Sequence, residues 1–155
     1  MIEVEVGRLL REKGLTVAVA ESCTGGLVAS LITDVPGSSD YFRGGVVAYS
    51  NEVKENVLRV SEEILSSVGA VSPECAQAMA EGVRALLGAD LGLSTTGIAG
   101  PTGGTPAKPV GLVYIALAHA EGTLVREFRF MGSRRGNRYS TAHEALRLVL
   151  DFLRG

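Results

Sequence analysis

Residues 16–26 read TVAVAESCTGG. Residues 15–20 are a continuous apolar run of small and β-branched side chains, the pattern of a strand covered on both faces. The run passes without a spacer into Glu21, Ser22, Cys23 and Thr24, then Gly25 and Gly26. The next stretch, TGGLVASLIT (24–33), has helical character. Strand, polar turn and helix in that order open an α/β unit. In open sheets of this class ligands lie outside the carboxyl ends of the strands. The segment that sets the architecture therefore also puts a hydroxyl and a thiol where chemistry can occur.

Ser22 has two readings. It is a favoured helix N-cap residue. As a nucleophile it needs a base and an oxyanion hole, and the N–H groups of Cys23 to Gly25, opening a helix, would supply donors. The turn has the strand–turn–helix logic of a nucleophile elbow without its G-x-S-x-G sequence. Cys23 competes, because a helix N-terminus stabilises a thiolate. It is equally a good small core residue. Ser22 and Cys23 cannot both face one cleft if the backbone there is extended.

Outward from this segment, the chain alternates helix and strand. Ile2, Val6, Leu9 and Leu10 form a helical stripe that Gly14 is placed to stop. DVPGSSDYFRG (34–44) reads as a loop, and 44–50, GGVVAYS, as a second buried strand. Ser50 or Asn51 then caps a helix reaching about Leu58, and SEEILSSVG (61–69) adds a short helical piece. Ser72-Pro73-Glu74 is a strong helix start, with Ala76, Met79, Ala80, Val83, Leu86 and Leu87 on one face and Gly88 at the end. Residues 89–97 are a third strand, and 97–111, rich in Gly and Pro, are irregular. Residues 110–120 and 123–131 flank Glu121-Gly122 as a hairpin. A last helix over 134–153 carries Tyr139, Ala142, Leu146, Val149, Leu150 and Leu153 on one side. The expected fold is a single layered α/β/α domain over 1–155, with a mixed, mostly parallel sheet of about five strands.

The 155 residues suffice for one sizeable core. A formal net charge of −2 gives no global field toward nucleic acid or an anionic membrane, so neither is an expected partner. The two cysteines, Cys23 and Cys75, have no metal-ligand spacing, and no metal or cofactor is expected. The charged N-terminus does not read as a signal peptide and no apolar run reaches membrane-spanning length, so cytoplasmic residence is expected.

Three polar segments follow strands: ESCTGG, YSNEVK and TTGIAGPTGG. Their convergence is the physical case for a site, provided the first three strands are parallel neighbours. Neither histidine is a good base for Ser22. His143 sits beside the stripe of the last helix, at the core edge, and His119 at a hairpin end. Among the lysines, Lys54 starts the helix after the second strand. There the helix dipole, and burial if it occurs, would lower its pKa toward a neutral amine; a solvated surface lysine is the alternative. A Ser–Lys dyad is one form of activated nucleophile. In GSRRGNRYS (132–140), Arg134 and Arg138 lie i, i+4 at a helix start, where cations are unfavourable unless an anion sits between them. Gly97, Gly100, Gly103 and Gly104 would wrap a ligand, although they match no Walker pattern.

Taken together, AESCTGG, GSS..F..G, YSNEVK, GAVS, TGIAGPTGG and KPVGLVYIA resemble the C-terminal domain family of the competence/damage-inducible protein CinA. Its stand-alone members include nicotinamide-nucleotide amidohydrolases of the PncC type. The likeness runs through nearly the whole chain in matching order and spacing. It implies a stand-alone domain, without the N-terminal domain of full-length CinA. It implies deamidation of nicotinamide mononucleotide to nicotinate mononucleotide and ammonia, without a metal, by a protein that self-associates. In this reading Ser22 is the nucleophile, Lys54 the general base, and Tyr49 assists proton transfer or substrate placement. Cys23, Thr24 and Gly25 border the substrate, the loop from Thr96 and Gly97 through Gly100 to Gly103 and Gly104 lines its pocket, and Arg134 and Arg138 face its phosphate. The sequence departs from the family's GDR-x-x-hydrophobic-R: Ser133 stands for the acid and Asn137 for the hydrophobe. A nucleotide-binding module without chemistry is the competing expectation, resting on the glycine loop and the arginines.

Overall fold

A computed structural model describes Met1–Gly155. Its centre is a five-stranded sheet in the order β2-β1-β3-β4-β5. The strands are β1 (Val17–Glu21), β2 (Phe42–Val47), β3 (Leu91–Gly97), β4 (Leu112–His119) and β5 (Gly122–Arg129). β1 pairs in parallel with both β2 and β3, and β4 runs antiparallel to β3 and β5. The layered, mixed sheet expected from the sequence is thus present, with β4 alone reversed.

Helices cover both faces. α1 (Ile2–Lys13), α2 (Leu27–Thr33) and α6 (Arg134–Arg154) share one core with Val17, Val19, Leu93 and Ile115. On the other face α5 (Pro73–Leu87) packs on Ala18 and Ala20 through Cys75, Met79 and Val83, with α3 (Asn51–Asn56) and α4 (Glu62–Ser67) beside it. This second face is close-packed because it is small. A Cβ at Gly92 would stand 2.1 Å from the Ala80 carbonyl oxygen, and helix and strand meet at backbone contact there.

Several boundaries differ from the sequence reading. β2 begins at Phe42 and ends at Val47, so Tyr49 and Ser50 lie past the strand, in the turn before α3. α2 begins at Leu27, because Gly25 and Gly26 take positive φ values of 58° and 105° and make a turn of residues 23–26. β4 and β5 pair His119 with Gly122, which moves the turn one residue back to Ala120-Glu121. Leu86 and Tyr139, at the edges of their stripes, are exposed rather than buried, as is His143. No helix is long and apolar enough to cross a membrane.

Candidate active site

The site is a consequence of strand alternation. Val17 and Val19 point to the α1/α2/α6 layer, and Ala18 and Ala20 to the α5 layer. Continued past β1, the same alternation sends Glu21 and Ser22 to opposite faces. The Glu21 carboxylate reaches the start of α2, accepting from Val28 N at 2.8 Å, Ala29 N at 2.9 Å and the Thr24 hydroxyl at 2.5 Å. An anion belongs at that helix end. Ser22 is thereby relieved of capping, and its hydroxyl meets Lys54 instead.

Lys54 Nζ lies 3.0 Å from Ser22 Oγ, 2.8 Å from the Ala48 carbonyl oxygen and 3.1 Å from that of Tyr49. The residue is 1% exposed and takes part in no ion pair. Burial lowers its pKa. α3 ends at Asn56, so Lys54 lies in its last turn and the dipole proposed from sequence is not the cause. The two carbonyls can only accept. A neutral amine donates one N–H to each and turns its lone pair to the Ser22 hydroxyl; the ammonium donates to all three oxygens. Both protonation states are therefore satisfied without a side chain moving.

These groups line a cleft of about 210 Å³ with Cys23, Tyr49, Asn51, Ala70, Val71, Thr96, Gly97, Ala99 and Arg134. Its floor is the carboxyl ends of β1, β2 and β3, which are parallel neighbours as the site required. Thr96 is pinned by its hydroxyl to the Ala70 carbonyl at 2.8 Å.

The remaining expected site residues divide. The Tyr49 phenol, 62% exposed, accepts from Arg134 at 3.2 Å and bonds neither Ser22 nor Lys54; its backbone carbonyl is what holds the amine. Arg134 also donates to the Gly100 carbonyl at 2.8 Å, bridging the cleft from Tyr49 to the glycine loop. Arg138 donates to the carbonyls of Cys23 at 3.1 Å and Thr24 at 3.0 Å. Arg135 lies outside, over the Tyr139 ring at 5.3 Å. Of the expected substrate-binding residues, Thr24, Gly25, Gly100, Gly103, Gly104 and Arg138 do not line the cleft. A Cβ at Gly104 would meet Val110 N at 2.7 Å, so this glycine serves the loop's own fold.

The CinA C-terminal domain model matches residues 1–153. The chain belongs to the CinA C-terminal domain family. A relative in Desulforudis audaxviator is 60% identical over 151 residues, which are 97% of this chain and 37% of that protein. A CinA-like protein of Geobacter sulfurreducens is 55% identical over 153 residues, 99% of this chain and 36% of its own length. The chain thus spans little more than a third of these relatives. The crystal structure of the competence/damage inducible protein CihA from Agrobacterium tumefaciens is 40% identical with a TM-score of 0.93, covering 99% of this chain and 96% of that one. A CinA superfamily protein from Klebsiella pneumoniae is 33% identical with a TM-score of 0.95, covering 98% and 95%.

Within this CinA domain, it is the Ser22 hydroxyl that meets the Lys54 amine, and burial keeps the thiols protonated. It pushes the Cys23 thiol up to about 12, and the Cys75 thiol up to about 11, so neither is a thiolate at neutral pH. The sequence reading missed two contributors. Glu21 carries no local signature, because the N–H donors its carboxylate accepts from lie seven and eight residues on, outside capping-box spacing. Asn137, seen only as a departure from the family pattern, is 2% exposed and ties α6 to the glycine loop, donating to the Ala99 carbonyl at 3.0 Å and accepting from Gly132 N at 2.9 Å. Ser133, the other departure, caps α6 by accepting from Gly136 N at 3.1 Å.

Proposed function

We propose that this CinA domain hydrolyses the carboxamide of nicotinamide mononucleotide, giving nicotinate mononucleotide and ammonia. The observation that carries the chemistry is the buried Lys54 amine 3.0 Å from Ser22 Oγ, with its other hydrogen-bonding directions taken by two backbone carbonyls. The family likeness supports the substrate, and Arg134 at the cleft supports an anionic one. Ser22 Oγ attacks the amide carbon as neutral Lys54 takes the hydroxyl proton. The N–H groups of Cys23 and Thr24, which have no acceptor within the protein, serve the developing oxyanion. Collapse breaks the C–N bond, and Lys54 gives its proton to the departing ammonia. Water then attacks the acyl–Ser22 ester with Lys54 again as base, releasing the acid and restoring the hydroxyl. Arg134 exchanges the Tyr49 phenol for the substrate's phosphate.

The test is ammonia release from nicotinamide mononucleotide by the purified protein, with nicotinate mononucleotide followed by chromatography. Stoichiometric appearance of both is expected. Saturable binding of the mononucleotide with no ammonia would overturn the reading in favour of a nucleotide-binding module.

A further inference from the structure

We propose that Arg138 is a positioning residue for the oxyanion donors of the Ser22 turn, not a ligand of the substrate's phosphate. The proposal rests on the hydrolytic reading above. Three observations carry it.

The first is where the guanidinium is spent. Nε and one terminal nitrogen donate to the carbonyls of Cys23 and Thr24 at 3.1 and 3.0 Å. Arg138 is absent from the walls of the cleft that holds Ser22 and Lys54; with Arg134, Arg135 and Tyr139 it lines a neighbouring pocket instead. The second is peptide geometry. In a trans peptide the C=O and N–H of one unit point in opposite directions. The Cys23 carbonyl shares its plane with the Thr24 N–H, so gripping the carbonyl from one side aims that N–H to the other. A cation on the carbonyl also strengthens the donor across the same peptide. The third is an accounting of donors. Gly25 N already donates to the Ser22 carbonyl at 3.1 Å, whereas no protein group accepts from Cys23 N or Thr24 N. Thr24 is fully buried, and a buried backbone N–H left unpaired in the resting protein is uncommon. An oxyanion formed on Ser22's substrate is the acceptor assigned to these two donors: Cys23 lines the cleft, and Thr24, the next residue of the turn, is covered in the resting protein. Gly25 belongs to the same device: a Cβ there would stand 3.2 Å from the gripping nitrogen of Arg138.

The two roles separate in steady-state kinetics with nicotinamide mononucleotide on the full chain. A positioning role predicts that Arg138→Lys and Arg138→Ala lower kcat on the order of 10²-fold, the scale of a misplaced catalytic group, while KM stays within about threefold. Millimolar guanidinium is expected to restore Arg138→Ala at least several-fold, with no effect on the parent. KM raised tenfold or more at unchanged kcat would overturn the proposal and return Arg138 to the phosphate. A fall in melting temperature with kcat per folded molecule unchanged would overturn it in favour of a purely structural tie; if Arg138→Ala does not fold, Arg138→Lys decides on the same criteria. A parent protein that releases no ammonia overturns the hydrolytic reading itself, and this proposal with it.

Discussion

The two walls of the cleft are built in opposite ways. On one side Ser22, just past the end of β1, and Lys54, in α3, are 8% and 1% exposed, with the amine held by two main-chain carbonyls. On the other, residues 98–111 form a glycine- and proline-rich loop, exposed over 101–107 and held at the buried Ala99 and Gly100 by two side chains of α6, Asn137 and Arg134. The difference assigns labour. The buried wall, fixed by β1 and its neighbours, has the rigidity that bond-making needs. The loop wall has polar reach and freedom to trade partners, which suits recognition of a substrate's remote groups.

That contrast breaks most visibly at the buried wall. Ser22→Ala is expected to lower kcat on the order of 10⁴-fold or more, measured as ammonia release; retained turnover would remove the nucleophile. Lys54→Met, close to isosteric, should lower it about 10²–10⁴-fold. Its stability should change by no more than about 2 kcal/mol, because two lost carbonyl bonds are offset by relief of a buried amine; chemical denaturation checks this. The same residue sets the pH dependence. Only neutral Lys54 accepts the hydroxyl proton, so kcat/KM should fall as pH drops through its lowered pKa. This limb therefore lies below the ordinary lysine range, with activity gained toward alkaline pH.

Smaller effects sharpen the contrast. Arg134→Gln, on the loop wall, is expected to raise KM for the mononucleotide about tenfold with kcat largely kept, the signature of lost uniform binding. Glu21→Gln should cost about 1–3 kcal/mol of stability through weakened anchoring of α2, read from the thermal midpoint. Cys23→Ser should change kcat least, since the protonated thiol takes no chemical part; a loss as large as that of Ser22→Ala would reverse the assignment.

Legibility in the sequence followed the same division. The apolar run of β1 and the Ser72-Pro73 start of α5 were readable because burial on both faces and capping leave local signatures. The three polar segments were placed correctly at strand ends by topology alone. Burial of Lys54 was not readable. α3 is only six residues long, too short for an amphipathic stripe to show which face is covered. Nor was the division among the arginines, since i, i+4 spacing says that Arg134 and Arg138 share a helix face but not that one grips peptide carbonyls and the other bridges a cleft. Gly103 and Gly104 looked like ligand wrappers for a similar reason: a glycine needed for the loop's own turn and one needed for a ligand look the same in a string.

The central claim, a neutral-capable amine facing Ser22, can be measured without substrate. With lysine labelled at the ε-carbon, NMR should show one resonance titrating below the ordinary lysine value of about 10.4, and that resonance should vanish in Lys54→Met. All lysines titrating together near the ordinary value, with the Lys54→Met spectrum missing one of those, would contradict the account.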